Sequence, residues 1–297
     1  MFVFLFLYFL CGIVCSDAAA DEKETFTIYT VNYPLKYFTE RIAGDHAVVV
    51  CPAPADEDPA FWMPDKETIA GYQTADLILL NGADYAKWLP KVALSRFRTV
   101  NTSAGFSDDY ITTAGATTHS HGPGGEHSHT GTAFTTWLDL SLAAKQAQAI
   151  LDALIKKLPD SEKAFRENYK KLEEELLELD KEIGEIVKAD PTRPLVASHP
   201  VYQYFSKRYS LNMESVMWEP GEDPGDDLWG ELAYGLESHP ARWMIWEEEP
   251  LEASKRRLQS MGVGSIVFDP CANTPGQGDF MSVMKSNIDN LKKIYED

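Results

Sequence analysis

The stretch Asp160–Lys188, DSEKAFRENYKKLEEELLELDKEIGEIVK, decides the fold. Its apolar residues are Phe165, Tyr169, Leu172, Leu176, Leu179, Ile183 and Ile186, spaced alternately by four and by three. That spacing draws a single apolar stripe along a helix. Pro159 and Ser161 stand where a helix begins, with Ser161 as N-cap, and Glu162 and Glu167 suit the positive end of its dipole. Lys188 and Pro191 mark the exit. Roughly 27 helical residues would be about 40 Å long, the width of a domain. A plain surface helix or a coiled-coil dimer is the simpler alternative, but strand-rich segments lie on both sides. The expectation is a rigid spine over 159–189, joining an N-terminal lobe over 21–158 to a C-terminal lobe over 190–297.

Outward from the spine, the same alternation occurs twice. Upstream, TFTIYT (25–30), a buried run over 47–51, LILLN (77–81) and 99–101 read as strands. Helical patterns fall between and after them, over 35–43, 67–73, 85–94 and 139–158. Downstream, LVAS (195–198), 213–218, WMIWE (243–247) and SIVFD (265–269) read as strands, with helices over 201–209, 225–237, 252–261 and 282–295. Strands alternating with helices at short spacing indicate βαβ units and a parallel sheet. The fold class is therefore α/β: two lobes with mainly parallel sheets, one long backbone helix and a ligand cleft between the lobes. Ligands in such sheets sit off the carboxyl ends of strands. Those ends carry Asn32, Asn81, His199, Glu247 and Asp269.

Composition sets limits on partners. The chain has 297 residues, 44% hydrophobic and 25% charged, enough to bury a core without disulfides. A formal net charge of −19 argues against nucleic acid or an anionic membrane as partner and suits cations. MFVFLFLYFLCGIVC at the start, with Ala18-Ala19-Ala20 after it, reads as an export signal over 1–20. The expected location is periplasmic, with a lipid anchor at Cys11 or Cys15 as the alternative. Export leaves Cys51 and Cys271, which oxidising surroundings allow to be bridged or free. Nothing calls for an oligomer, and a monomer is expected.

Four of the seven histidines, His119, His121, His127 and His129, fall in one low-complexity loop over 115–132. HSH twice within eleven residues is a metal-capturing composition, mobile and of modest affinity; a tolerated polar loop is the plainer reading. His199 directly follows LVAS, and Asp269 closes SIVFD. Together they could give a divalent cation one nitrogen and one or two oxygens. Taken alone, each is equally well a satisfied half-buried side chain or a turn residue. Trp62, Trp218 and Trp246 near the strand ends could face an organic ligand but suit interlobe packing better.

Several segments carry a family resemblance when read in order. IYTVNYPLKYFTERIAGD, TADLILLNGADYAKWL, WLDLSLAAKQAQAI, the spine, SHPVYQYFSKRYSL, EDPGDDLWGEL and VFDPCANTPGQGDF resemble the metal-binding proteins of zinc and manganese ABC importers. The likeness runs from Phe26 to the C-terminus, and a histidine-rich loop before WLD is typical of the zinc branch. It implies two lobes bridged by one helix, a metal in the cleft and an ABC transporter permease as partner. Of the family's four ligands it matches His199 and Asp269. The other two histidines fall on Ala60, in DPAFWMP, and Thr135, in FTTWLD. Repair could come from Asp56, Glu57 or Asp58, from His129, or from Glu247, Glu248 or Glu249.

Capture of Zn2+, with Mn2+ as second choice, for delivery to a permease is the expected function. The alternative keeps the scaffold for a chelated metal or small organic ligand, because Ala60 and Thr135 replace ligands. A zinc-dependent hydrolase is the remote alternative: an open coordination position suits it, but no HExxH, GxSxG, P-loop or dinucleotide fingerprint is present. A binding protein, not an enzyme, is expected.

Overall fold

A computed structural model describes residues 25–113, 118–120, 126–128 and 131–296. The export segment 1–20 lies outside them, as do His121 and His129. The first sheet holds β1 (Thr27–Thr30), β2 (Val48–Val50), β3 (Leu77–Leu80) and β4 (Thr99–Asn101), all parallel, in the order β2-β1-β3-β4. Helices α1 (Tyr33–Ala43) and α2 (Lys66–Thr74) connect its strands. Asn32 starts α1 by accepting from the Leu35 N–H, and Pro34 occupies the first turn, where a missing N–H costs nothing. Gly44, at φ +54°, ends it.

Past β4, β5 (Thr112–Thr113) pairs antiparallel with β8 (Gly131–Thr132), and β6 (Thr118–Ser120) with β7 (Glu126–Ser128). The loop read as structureless thus contains ladder pairing, and its register sets His119 opposite His127. Helix α3 (Leu140–Lys157) follows, capped by Asp139. It leads through a 3-10 turn, Pro159–Ser161, into α4 (Glu162–Val187). The second sheet holds β9 (Pro194–Ala197), β10 (Asn212–Ser215), β11 (Trp243–Trp246) and β12 (Gly264–Val267), again all parallel, in the order β10-β9-β11-β12. Helices α5 (Gln203–Tyr209), α6 (Asp226–Ser238), α7 (Glu252–Ser260) and α8 (Phe280–Tyr295) complete it. No helix among the described residues is long and apolar enough to cross a membrane.

The stripe of α4 is buried as its spacing requires: Phe165, Tyr169, Leu172, Leu176, Leu179 and Ile183 face the core, with Val187 closing the row ahead of half-buried Ile186. Each fully buried Leu or Ile contributes roughly 1.5–3 kcal/mol. Polar clamps tie the spine to both lobes. Arg41 of α1 makes two 2.9 Å bonds to Glu175, and Arg208 of α5 is bidentate on Asp180 at 2.8 and 2.5 Å. Paired forks of this kind fix orientation as well as distance.

Three local expectations fail for identifiable reasons. Residues 85–94 form only a short 3-10 turn, Leu89–Lys91, because Pro90 lacks the N–H an α-helix needs and disfavours helical backbone before it. Ser161 does not cap α4; its hydroxyl bonds His46 Nδ1 at 3.0 Å, tying the helix start to the first lobe. Strand β2 is not buried: it is the sheet's edge, and Val48 is 50% exposed.

Candidate functional site

Both sheets leave their first strand in one direction and then cross to its other side. The crossing point lies between β1 and β3 in one lobe and between β9 and β11 in the other. A crevice opens off the carboxyl ends at such a point. Each of the four strands of the second lobe runs out at its carboxyl end into a donor. His199 follows β9, Glu219 follows β10, Glu247 follows β11 and Asp269 follows β12.

His199 is 4% exposed, and its Nδ1 lies 3.4 Å from Glu219 Oε1 and 3.9 Å from Glu247 Oε1. The backbone holds these ends tightly: Ser198 N–H donates to Ile245 O at 2.8 Å, and Trp218 N–H to Ser198 O at 2.7 Å. Asp269 is fixed from α8. Asn287 accepts from the Asp269 N–H at 2.9 Å and donates to its carbonyl at 2.7 Å. One Asp269 carboxylate oxygen accepts from the Cys271 N–H at 2.6 Å.

Electrostatics mark the crevice. Glu247 is surrounded by protein, yet 26% of its side chain still reaches solvent, the position of a group on a crevice floor. Desolvation pushes its carboxyl well above the ordinary range, and the charges of Glu219, Asp58, Glu248 and Asp269 push it further. Asp269 is also raised, by desolvation and by Glu248, although its bond from Cys271 acts the other way. Negative charge is therefore concentrated where burial penalises it. Among the described residues, no three His, Cys, Asp or Glu side chains already stand at metal-holding distances. Donor contacts within 4 Å join His199 to Glu219 and to Glu247.

The facing half of the crevice is lined mainly by uncharged groups. Ala60 is fully buried; its N–H donates to Asp58 Oδ1 at 2.8 Å and its carbonyl accepts from Lys87 N–H at 2.9 Å. Thr135 is 4% exposed, and its hydroxyl donates across the cleft to Val201 O. At the crossing point, Asn32 Nδ2 donates to Asn81 Oδ1 at 3.3 Å, and Asn81 Nδ2 to Phe134 O at 2.8 Å. Gln146 Nε2 adds bonds to Asn81 Oδ1 at 3.2 Å and Thr102 Oγ1 at 3.0 Å. Asp58 is the acid this half brings, on a loop that Asn273 of the other lobe holds through Pro54 O at 2.5 Å and Glu57 O at 2.8 Å.

Sequence reading named His199, Asp269, Glu247 and Asp58; the fold sets His199 Nδ1 3.9 Å from Glu247 Oε1, and the charges of Asp58 and Asp269 act on Glu247. It missed Glu219. Glu219 lies four residues beyond β10, among the acids of WEPGEDPGDD, whereas Glu247 follows β11 directly, so the placement of Glu219 drew no notice. Glu248 and Glu249 are exposed. Cys51 and Cys271 are free thiols, and burial raises both. Trp218 packs on Trp229, with ring centroids 4.5 Å apart, and on Trp246, 6.1 Å apart, inside the second lobe, so these two predicted cleft aromatics, Trp218 and Trp246, are core residues of that lobe.

A sequence model described as "zinc-uptake complex component A periplasmic" (ZnuA) matches residues 28–294. The zinc-binding lipoprotein AdcA of Streptococcus pneumoniae R6 is 26% identical over 308 residues, covering 98% of this chain and 60% of that protein. The chain thus spans about 60% of the length of that relative. The manganese ABC transporter substrate-binding lipoprotein scaA of Streptococcus gordonii is 25% identical over 311 residues, covering 98% of this chain and 96% of that one. The crystal structure of Zn(II)-bound AdcA from S. pneumoniae superimposes with a TM-score of 0.77 at 22% identity, over 92% of this chain and 58% of that chain. At that identity the likeness speaks for the two-lobe fold.

Proposed function

The chain belongs to the family of periplasmic zinc-uptake complex component A proteins, of the zinc and manganese ABC substrate-binding type, and on that premise we propose that it captures a divalent metal ion in the interlobe crevice for delivery to an ABC permease. The observation that carries this reading is His199 between Glu219 and Glu247 at the crossing point of the second sheet. One imidazole and several carboxylates are the donors a divalent first-row cation takes. Carboxylates that repel one another in a desolvated crevice gain most when a cation neutralises them. His199, Glu219, Glu247 and Asp269 form the core of the proposed site, and Asp58 supplies charge from the first lobe in place of the imidazoles missing at Ala60 and Thr135.

Zinc is the proposed cargo. At any nitrogen and oxygen site it binds more tightly than manganese. The oxygen-rich donor set narrows that preference, which favours manganese as the second reading. The histidine loop, with His119, His121, His127 and His129, is proposed as a separate, weaker metal buffer. The protein works outside the cytoplasm, as the lipoprotein relatives' names suggest, and acts by binding and not by turnover.

Calorimetric zinc titration of wild type, a deletion of residues 116–130 and His199→Ala tests the reading. A tight site that survives loop deletion and is lost, by at least about 100-fold, in His199→Ala is the expected result, since even residues that only support a ligand contribute 10–100-fold. Binding that follows the loop alone would mean that the crevice takes another ligand.

A further inference from the structure

We propose that the turn Ser95–Arg98 is a membrane-contact element that seats the first lobe on an anionic lipid surface. The proposal rests on the extracytoplasmic reading above. Phe97 is 94% exposed, the most exposed large apolar residue described. A single exposed Phe means little by itself. This one occupies the tip of a turn closed by Arg98 N–H on Ser95 O at 3.1 Å, with Arg96 and Arg98 on either side. Arg98 donates to Thr74 O and Ala75 O, both at 3.1 Å, pinning the turn to the end of α2. Lys157 Nζ holds the Phe97 carbonyl at 3.3 Å. The tip is thus a braced apolar ring with Arg96, Arg98 and Lys157 around it.

The chain as a whole carries −19, and a net charge of that sign is repelled by an anionic bilayer. Screening limits that repulsion to about 8 Å at physiological ionic strength, so the nearest charges decide. Those the structure places there are Arg96 and Arg98 in the turn and Lys157 on its carbonyl, with Asp76 at the start of β1. Each basic residue near an anionic surface strengthens partitioning roughly fivefold.

Topology supplies the second argument. Arg98 directly precedes β4, at the amino end of the sheet, and the chain enters β1 at Thr27 on that same end. Strands β1 and β4 are two places apart, roughly 10 Å. Residues 2–15 are almost wholly apolar in sequence, and the link from Cys15 to Thr27 reaches at most roughly 40 Å. Held to a bilayer by a lipid on Cys15, the alternative to cleavage after residue 20, the chain presents the turn to the lipid at high local concentration, so a weak contact is populated.

The test is Phe97→Trp in the full chain on vesicles of brominated phosphatidylglycerol or brominated phosphatidylcholine. Bromine quenches only an indole at the lipid, and wild type supplies the background of the native tryptophans. The added emission should be quenched on phosphatidylglycerol, recover with salt and stay bright on phosphatidylcholine. Adding Arg96→Glu changes the local charge by two and should weaken the quenched state roughly 25-fold. Quenching equal to the wild-type background, or equal on both lipids, overturns the proposal. Zinc titration of the same variants separates the two readings: zinc binding lost with quenching intact overturns the crevice and not the contact.

Discussion

The two lobes place different chemistry on the same backbone plan. Asn32 and Asn81 follow the first and third strands of one sheet, as His199 and Glu247 follow the corresponding strands of the other. In the first lobe the crossing point is sealed, because amides carry both donors and acceptors and satisfy each other and Gln146 without charge. In the second it is open, because carboxylates only accept and repel one another. The difference teaches that this fold does not itself make a metal site. A crossing point can become one where its side chains bring like charges together instead of matched amides.

That contrast can be broken from the sealed side. Asn81→Asp removes the donor to Phe134 O and sets a carboxylate against that carbonyl, a buried loss of about 3 kcal/mol. Thermal unfolding should shift down by several degrees, with zinc affinity changed only slightly. A strong gain in zinc affinity instead would show that the first lobe was merely lacking a charge.

The open side yields next. Glu247→Gln should weaken zinc binding by roughly 10–100-fold while the metal-free protein melts higher, since one of the repelling charges is gone. Affinity measured by competition with a chelator dye decides this; unchanged affinity would remove Glu247 from the proposed site.

The pH response follows from the same repulsion. The raised Glu247 and Asp269 bind protons in the folded state at pH values where the unfolded chain has released them. Folded protons in excess make the slope of stability against pH negative. Their contribution is full below the usual carboxylate values and fades as pH rises through the raised ones. The metal-free protein should therefore melt higher near pH 5 than near pH 7, and zinc should cancel the difference while releasing protons, which calorimetry in two buffers reads. A metal-free melting point that climbs across that interval contradicts the arrangement.

The smallest effect belongs to the bridge between the halves. Asn273→Ala frees the loop that carries Asp58 from its two carbonyl contacts, each worth about 1 kcal/mol at most. Zinc affinity should fall by a fewfold, through faster release in stopped-flow chelation. A loss as large as that of Glu247→Gln would place Asp58 on the metal.

Much of the scaffold was legible residue by residue. The four-and-three spacing through Phe165, Tyr169, Leu172, Leu176, Leu179 and Ile183 has one physical solution, a helix buried along that stripe. Short apolar runs ending in Asn81, His199, Glu247 and Asp269 announced strand ends, because a polar residue after such a run marks the sheet's rim. Glu219 was not legible. Its strand, Asn212–Ser215, is mostly exposed at a sheet edge and gives a weak apolar signal, so nothing set its carboxylate apart from the acids around it. The failure at 85–94 was of the other kind: apolar periodicity was present, but Pro90 forbade the backbone it suggests.

By itself, the sequence determined that two α/β lobes flank one long helix; that Ala60 and Thr135 stand where histidines would be expected is implied by the family resemblance alone. Periodicity and composition are local properties, and they are written along the chain. Only the tertiary structure decided that Glu219, from an edge strand, stands 3.4 Å from His199, and that Asn273 reaches Pro54 and Glu57 across more than two hundred residues. It also set Phe97 at the same end of the sheet as the chain's entry into β1. Those juxtapositions depend on strand order and on the twist of one sheet against another, which no local pattern encodes.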